Sequence, residues 1–166
     1  MPNDNILNDA LPSSETRHLG DDIRSSWIRC LSDHHLEPNT VPDPHVLTRP
    51  EIQDATAPIE ELIAVASPEI QRLFDRLAGD GYLVSVGSTE GVNLIFRSDY
   101  DLAGHMEPFG IVPGAIWSEQ NQGTNGMGTC IQTQNPVSVV ESDHFDSKVK
   151  SLTCTDAPVF GPGGKL

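Results

Sequence analysis

Residues Glu119 to Cys130 read EQNQGTNGMGTC and set three glycines, Gly123, Gly126 and Gly128, among hydroxyl and amide side chains. Such a stretch could cradle a phosphate on backbone N–H groups, hold another ligand, or simply turn the chain. A phosphate loop of the form GxxxxGK[ST] needs a lysine to reach the terminal phosphates, and no lysine follows Gly128. The dinucleotide fingerprint GxGxxG is also absent, because the glycines are wrongly spaced and no clean strand comes just before them. What remains is physical: glycine permits close backbone approach, and the amides of a helix starting near Asn125 to Cys130 would point at whatever sits there. The structural alternative is a turn capped by Thr124 or Asn125 that packs Met127 and Ile131 inward.

Other candidates for chemistry are sparse. His34 and His35 stand beside a helix end, where histidine suits the helix dipole, and no third ligand has metal spacing nearby. His144 with Cys130 and Cys154 could converge as a thiolate or metal site, but no spacing requires it, and buried structural thiols are the plainer reading. His105 could ligate haem from a pocket wall, yet a single histidine without a partner pattern reads as a hydrogen-bonded or surface residue. No GxSxG elbow is present, so the residues alone support neither catalysis nor a resident cofactor or metal.

Composition narrows the classes further. At 166 residues the chain has the length of about one domain. Its 24 acidic against 10 basic residues give a formal charge of −14, which repels a phosphate backbone and speaks against direct nucleic-acid binding. No apolar run approaches the roughly 18 residues a spanning helix needs, and the start lacks a basic segment followed by an apolar one. A cytoplasmic protein without membrane attachment is expected. Three cysteines without a CxxC pair fit reduced thiols better than a disulfide framework.

The elements that must position these residues follow from periodicity. Residues 1–20 are polar and read as a flexible tail. Residues 21–80 read as a helical arm and lead-in helices, and residues 81–166 as the main domain. Ile23, Trp27, Cys30 and Leu31 fall at helical spacing behind acidic Asp21 and Asp22, predicting a helix to about Ser32. The segment LEPNTVPDPHVLTRP carries four prolines and predicts an extended connector. Thr48 and Glu51, with Pro50 between them, form a T-x-x-E capping box that starts a second helical region. Ile59, Leu62, Ile63 and Ala66 continue a stripe that should stop at Ser67-Pro68, where a further helix begins with Ile70, Leu73, Phe74 and Leu77. That stripe could pack on the domain or pair with its copy in a dimer.

After Gly81 the period changes from 3.6 to 2. YLVSVGS and VNLIFRS, separated by TEG, predict a β-hairpin. Tyr100 to Phe109 reads as a short helix or irregular crossover, VSVV and LTCTDAPVF as strands, and GPGG as a tight turn. The class is therefore α+β with a largely antiparallel sheet.

The order of SSWIRCLSDHHLEP, PEIQRLFDRLAGDGYLVSVGSTEGVNL, GAIWSEQNQGTNGMGTCI, PVSVVESDHF and LTCTDAPVFGPGGKL resembles the N-terminal sensory region of bacterial sigma-54-dependent, enhancer-binding transcription activators of the acetoin-catabolism regulator type, a GAF-like domain. The similarity covers most of the chain from Ile23 onward. It implies a central antiparallel sheet flanked by helices, with a pocket between the sheet and its crossover segments. A small-molecule effector would bind there, acting through helices in a homodimer. In relatives of this kind an AAA+ ATPase module and a helix-turn-helix domain follow. The 166 residues contain neither a Walker A lysine nor a basic recognition helix, so those domains are expected only in a full-length protein. A further strand and a closing helix would also be expected beyond Leu166.

On this resemblance the ligand-binding candidates are Trp117, Ser118, Glu119, Thr124, Asn125, Thr129, His144 and Cys154. Trp117 would supply an apolar wall, Asn125 and Thr129 orienting hydrogen bonds, and Glu119 a charge contact or helix-end anchor. Two alternatives stand beside this reading. Some free-standing GAF domains reduce methionine sulfoxide with cysteines, here Cys130 and Cys154, and a ligand-free dimerisation module would need no site at all.

Overall fold

The computed structural model describes residues 6, 7, 10, 19–161, 163, 164 and 166. Most of the polar tail lies outside the described residues. Within it, Leu7 is fully buried in a cluster with Ile23, Trp27, Cys30, Val139 and Phe145.

Helix α1 (Asp21–Ser32) has Asp21 and Asp22 in its first turn and Arg29 in its last, each sign complementing the helix dipole. It buries Ile23, Ser26, Trp27 and Cys30. The proline-rich connector carries no helix before α2 (Arg49–Thr56). At its start the Glu51 carboxylate accepts from both Thr48 N and Thr48 Oγ1 at 2.7 Å, which lowers the Glu51 pKa.

After a 3-10 turn (Ala57–Ile59), α3 (Glu60–Leu77) runs unbroken for 18 residues with Pro68 inside it. The predicted restart at Ser67-Pro68 is therefore corrected. Proline removes one hydrogen bond of the ladder, but the apolar positions Ile63, Ala66, Ile70, Phe74 and Leu77 stay half-buried on one seam across it. Continuity of that seam outweighs the local break. Ser67 Oγ also donates to Ile63 O at 2.7 Å, tying the turn just before the proline.

The predicted hairpin forms from β1 (Val84–Gly87) and β2 (Asn93–Arg97), antiparallel, with a register shift at Val86/Gly87. Bridges Val46↔Ala115 and Val92↔Ile116 add to it. The crossover is helix α4 (Tyr100–Met106) followed by a 3-10 turn (Glu107–Phe109). Next come α5 (Glu119–Gln122), α6 (Gly126–Thr133), β3 (Val137–Val140) and β4 (Thr153–Asp156), the last two antiparallel with Val137 opposite Asp156. The class is α+β, as expected, and every named sheet is antiparallel.

Contacts divide the chain into two units. The first comprises Met1–Pro42, Trp117–Phe160 and Leu166; the second, Asp43–Ile116 and Gly161–Lys165. In the first, α6 lies on β3 and β4 and α1 packs on α5 and α6. The inward residues of β3, Val137 and Val139, are buried while Ser138 and Val140 are exposed, the period-2 pattern of a half-covered strand. In the second, α3 crosses β1 and β2. Among the described residues no helix is long and apolar enough to cross a membrane.

Candidate functional site

The glycine stretch begins α5 and then α6. Asn125 caps α6, its Oδ1 accepting from Gly128 N at 2.9 Å while its Nδ2 donates to Gly123 O at 2.8 Å. All three glycines are there for space, a Cβ on Gly126 meeting Cys154 Cβ at 2.7 Å. Gly123 has φ +70°, and a Cβ on it would meet Phe145 at 2.5 Å; a Cβ on Gly128 would meet Glu119 N at 2.6 Å and Trp117 O at 2.9 Å. Met127 and Ile131 are half-buried. The inward residues of α6 are Gly126, Gly128, Thr129 and Cys130, because the helix lies too close to α5 for a larger side chain at position 128.

Three of the predicted residues, Glu119, Thr124 and Thr129, meet α1, and a fourth, Asn125, caps the helix beside them. Glu119 is 1% exposed and takes a two-pronged contact from Arg29, Nε to Oε2 and Nη2 to Oε1, both 2.8 Å. Those bonds raise the Arg29 pKa. Ser26 Oγ reaches Glu119 Oε1 at 2.5 Å, Thr124 Oγ1 at 2.8 Å and Thr129 Oγ1 at 3.2 Å. A serine has one proton and a carboxylate only accepts, so Ser26 donates to Glu119 and the Thr124 hydroxyl supplies the proton of the second contact. Cys30 Sγ, 3.6 Å from Thr124 Oγ1, continues the relay, since burial pushes its thiol up to about 12 and keeps it protonated. Asn125 holds the turn that presents Thr124 and Thr129. The arrangement is a closed polar knot whose chemistry is fastening α1.

The other four lie elsewhere in the same unit. Trp117 is buried and Ser118 caps the short α5, its hydroxyl accepting from Asn121 Nδ2 at 2.7 Å. His144 Nδ1 donates to Glu141 O at 3.0 Å, and burial lowers its pKa. Its Nε2 is thus a buried acceptor that finds no partner among the described residues. Cys154 sits on β4 beside Asp156 and Gly126. Burial pushes Cys130 and Cys154 up to about 11, with Asp156 adding to both, and burial raises Asp156 to about 6. All three cysteines are free, and among the described residues no group of three His, Cys, Asp or Glu could hold a metal.

Open space lies in the second unit. A cleft of about 560 Å³ is walled by Phe96 of β2, by Tyr100, Ala103, Gly104 and His105 of α4, and by Ile111, Val112 and Pro113 after it, with Asp101 and Glu107 also contributing. Its walls are mainly hydrocarbon, and its charged residues are acidic. None of the eight predicted residues lines it. Sequence reasoning placed the crossover here but weighed only His105, and only as a haem ligand. The signal for the rest was the glycine within α4 beside an aromatic strand residue. Ser26 and Arg29 escaped because their partners are 93 and 90 residues away.

The chain matches the MimR N-terminal domain family over residues 13–165. It is 31% identical over 144 residues to the acetoin catabolism regulatory protein of Cupriavidus necator, covering 87% of this chain and 22% of that protein. The acetoin dehydrogenase operon transcriptional activator AcoR of Bacillus subtilis is 24% identical, with 87% and 24% covered. The propane 2-monooxygenase operon transcriptional activator MimR of Mycolicibacterium smegmatis is 26% identical, with 84% and 23% covered. The chain thus spans about a quarter or less of the length of these relatives. Among solved structures, the E. coli DhaR(N)–DhaL complex contains a chain of like fold, with a TM-score of 0.82 at 16% identity, covering 89% of this chain and 49% of that one. With one family matching nearly its whole length and transcription regulators as its relatives, the chain belongs to the MimR N-terminal domain family.

Proposed function

We propose that the chain is the non-catalytic, cytoplasmic signal-input domain of a bacterial transcription activator, working as a homodimer, and that its effector is a small molecule held in the cleft beneath α4. The cleft carries this reading: its volume falls within the range of small-molecule sites, and such sites are mainly apolar with a few polar groups. Acidic Asp101 and Glu107 beside hydrocarbon walls suit an effector without negative charge. ATPase and DNA-binding modules belong to the remainder of a full-length protein. The non-catalytic part is supported by the thiols: a reductase needs a low-pKa accessible cysteine, whereas Cys130 and Cys154 are pushed the other way. Of the residues of the sequence reading, Glu119, Thr124 and Thr129 serve, in this proposal, to hold α1, and Asn125 to cap α6.

Thermal shift against small alcohols, ketones, amines, aromatics and carboxylates tests the proposal. An effector at 100 times its dissociation constant adds about 2.7 kcal/mol. Gly104 lines the cleft and a Cβ on it would meet nothing within 4 Å, so Gly104→Leu adds bulk to the cleft wall and should abolish the shift. A panel that shifts neither protein defeats the small-molecule reading. A protein effector would then take its place, a second reading favoured by the partner DhaL present with the structural neighbour.

A further inference from the structure

Helix α3 buries none of its residues fully. Its inward seam rests on the hairpin, while Leu62, Val65 and Leu73 on another face are 37%, 70% and 46% exposed. At 100° per residue these three fall within about 80° of arc. Glu61, Glu69, Arg72 and Arg76 share that side by the same geometry, and all four are exposed. Glu69 is engaged by Arg72 on its own helix, which leaves an acidic end at Glu61 and a basic end at Arg76.

Resting on the dimeric reading above, we propose that this face pairs with the same face of a second copy, the two α3 helices running antiparallel. A parallel pair would set Glu61 against Glu61 and Arg76 against Arg76, like charges at both ends. The antiparallel pair sets Glu61 against Arg76 of the partner subunit at each end and Val65 against Leu73 of the partner subunit. The Glu69–Arg72 pairs meet at the centre. Residue numbers of facing positions then add to 137 or 138, so the apolar and charged contacts share one register. The helix dipoles also oppose, as an antiparallel pair favours.

Sedimentation of the whole chain across about 1–200 µM tests the pairing, with Val65→Glu as the probe. Because Val65 is so exposed, this variant should keep the melting temperature of a monomer while weakening self-association at least about tenfold. Orientation is read by mixing a tagged Val65→Cys chain with an untagged Leu73→Cys chain under mild oxidation. Antiparallel helices join these two, whereas two copies of Val65→Cys would lie roughly 12 Å apart along the axis, beyond disulfide reach. A wild-type chain that stays monomeric overturns both this pairing and the dimeric reading. A dimer indifferent to Val65→Glu overturns the pairing alone, and preferential Val65→Cys self-crosslinking overturns the antiparallel order.

Discussion

Glu119 is a charge that has been taken out of water and kept only because Arg29 and Ser26 meet it. Removing one partner of a buried pair is costly because the other is left uncompensated. Arg29 keeps 28% of its side chain exposed, so water recovers part of the loss. Glu119→Gln should therefore destabilise the chain by about 2–3 kcal/mol in urea titration, and Ser26→Ala by about 1–2 kcal/mol. Asp156 acts in the opposite sense. Its pKa rises from 3.8 to about 6 on folding, so its contribution is fully present below about pH 4 and is lost as pH rises through 6. Asp156→Asn should then gain roughly 1–3 kcal/mol at pH 7.5, a gain that fades toward pH 4. His144 has a lowered pKa, so the stability it lends is present above about 6.5 and falls away on acidification. Melting curves of Asp156→Asn and the parent from pH 4 to 8 separate the two contributions. At this scale the glycine stretch was legible as a capped helix start, since Asn125 and its spacing to Gly128 are local. Its binding partners were not, because a serine and an arginine in an amphipathic helix give no sign of which distant carboxylate they will meet.

Elements show where local rules hold and where packing overrides them. Helix α1 ends at the residues its pattern predicts, because acidic first-turn residues and a buried stripe agree. Helix α3 does not break at Pro68, because the proline rule is local and the hairpin beneath the seam is formed by residues that follow it. The hairpin itself was readable from alternation and its TEG turn, whereas the bridges through Val46 and Ala115 join segments with no repeating pattern. Two glycines test the same distinction by experiment. Gly104 lies within α4 with nothing near its absent Cβ, so Gly104→Ala should stabilise by about 0.5–1 kcal/mol through backbone entropy. Gly128 faces backbone atoms that cannot turn aside, and Gly128→Ala should destabilise by at least about 2 kcal/mol. Chemical denaturation of the two variants should give changes of opposite sign.

Across the whole molecule the charge of −14 makes self-repulsion a general term that salt screens. Raising NaCl from about 20 to about 300 mM should lift the melting temperature by about 2–5 °C, and the chain should leave duplex DNA unshifted at physiological salt. The same charge was plain from composition, while the division into interleaved units was not, since it depends on contacts such as Trp27 Nε1 to Asp143 O, 116 residues apart. That contact has a consequence in time. At 5–20 residues per second, roughly 6–23 s of synthesis separate Trp27 from Asp143. Residues 43–116, nearly all of the second unit, leave the ribosome in between and can fold first. Helix α1 meanwhile carries Ile23, Trp27 and Cys30 with only Leu7 and Val41 of their buried cluster made, and the apolar side of the helix stays open until Cys130, Val137, Val139 and Phe145 have been translated.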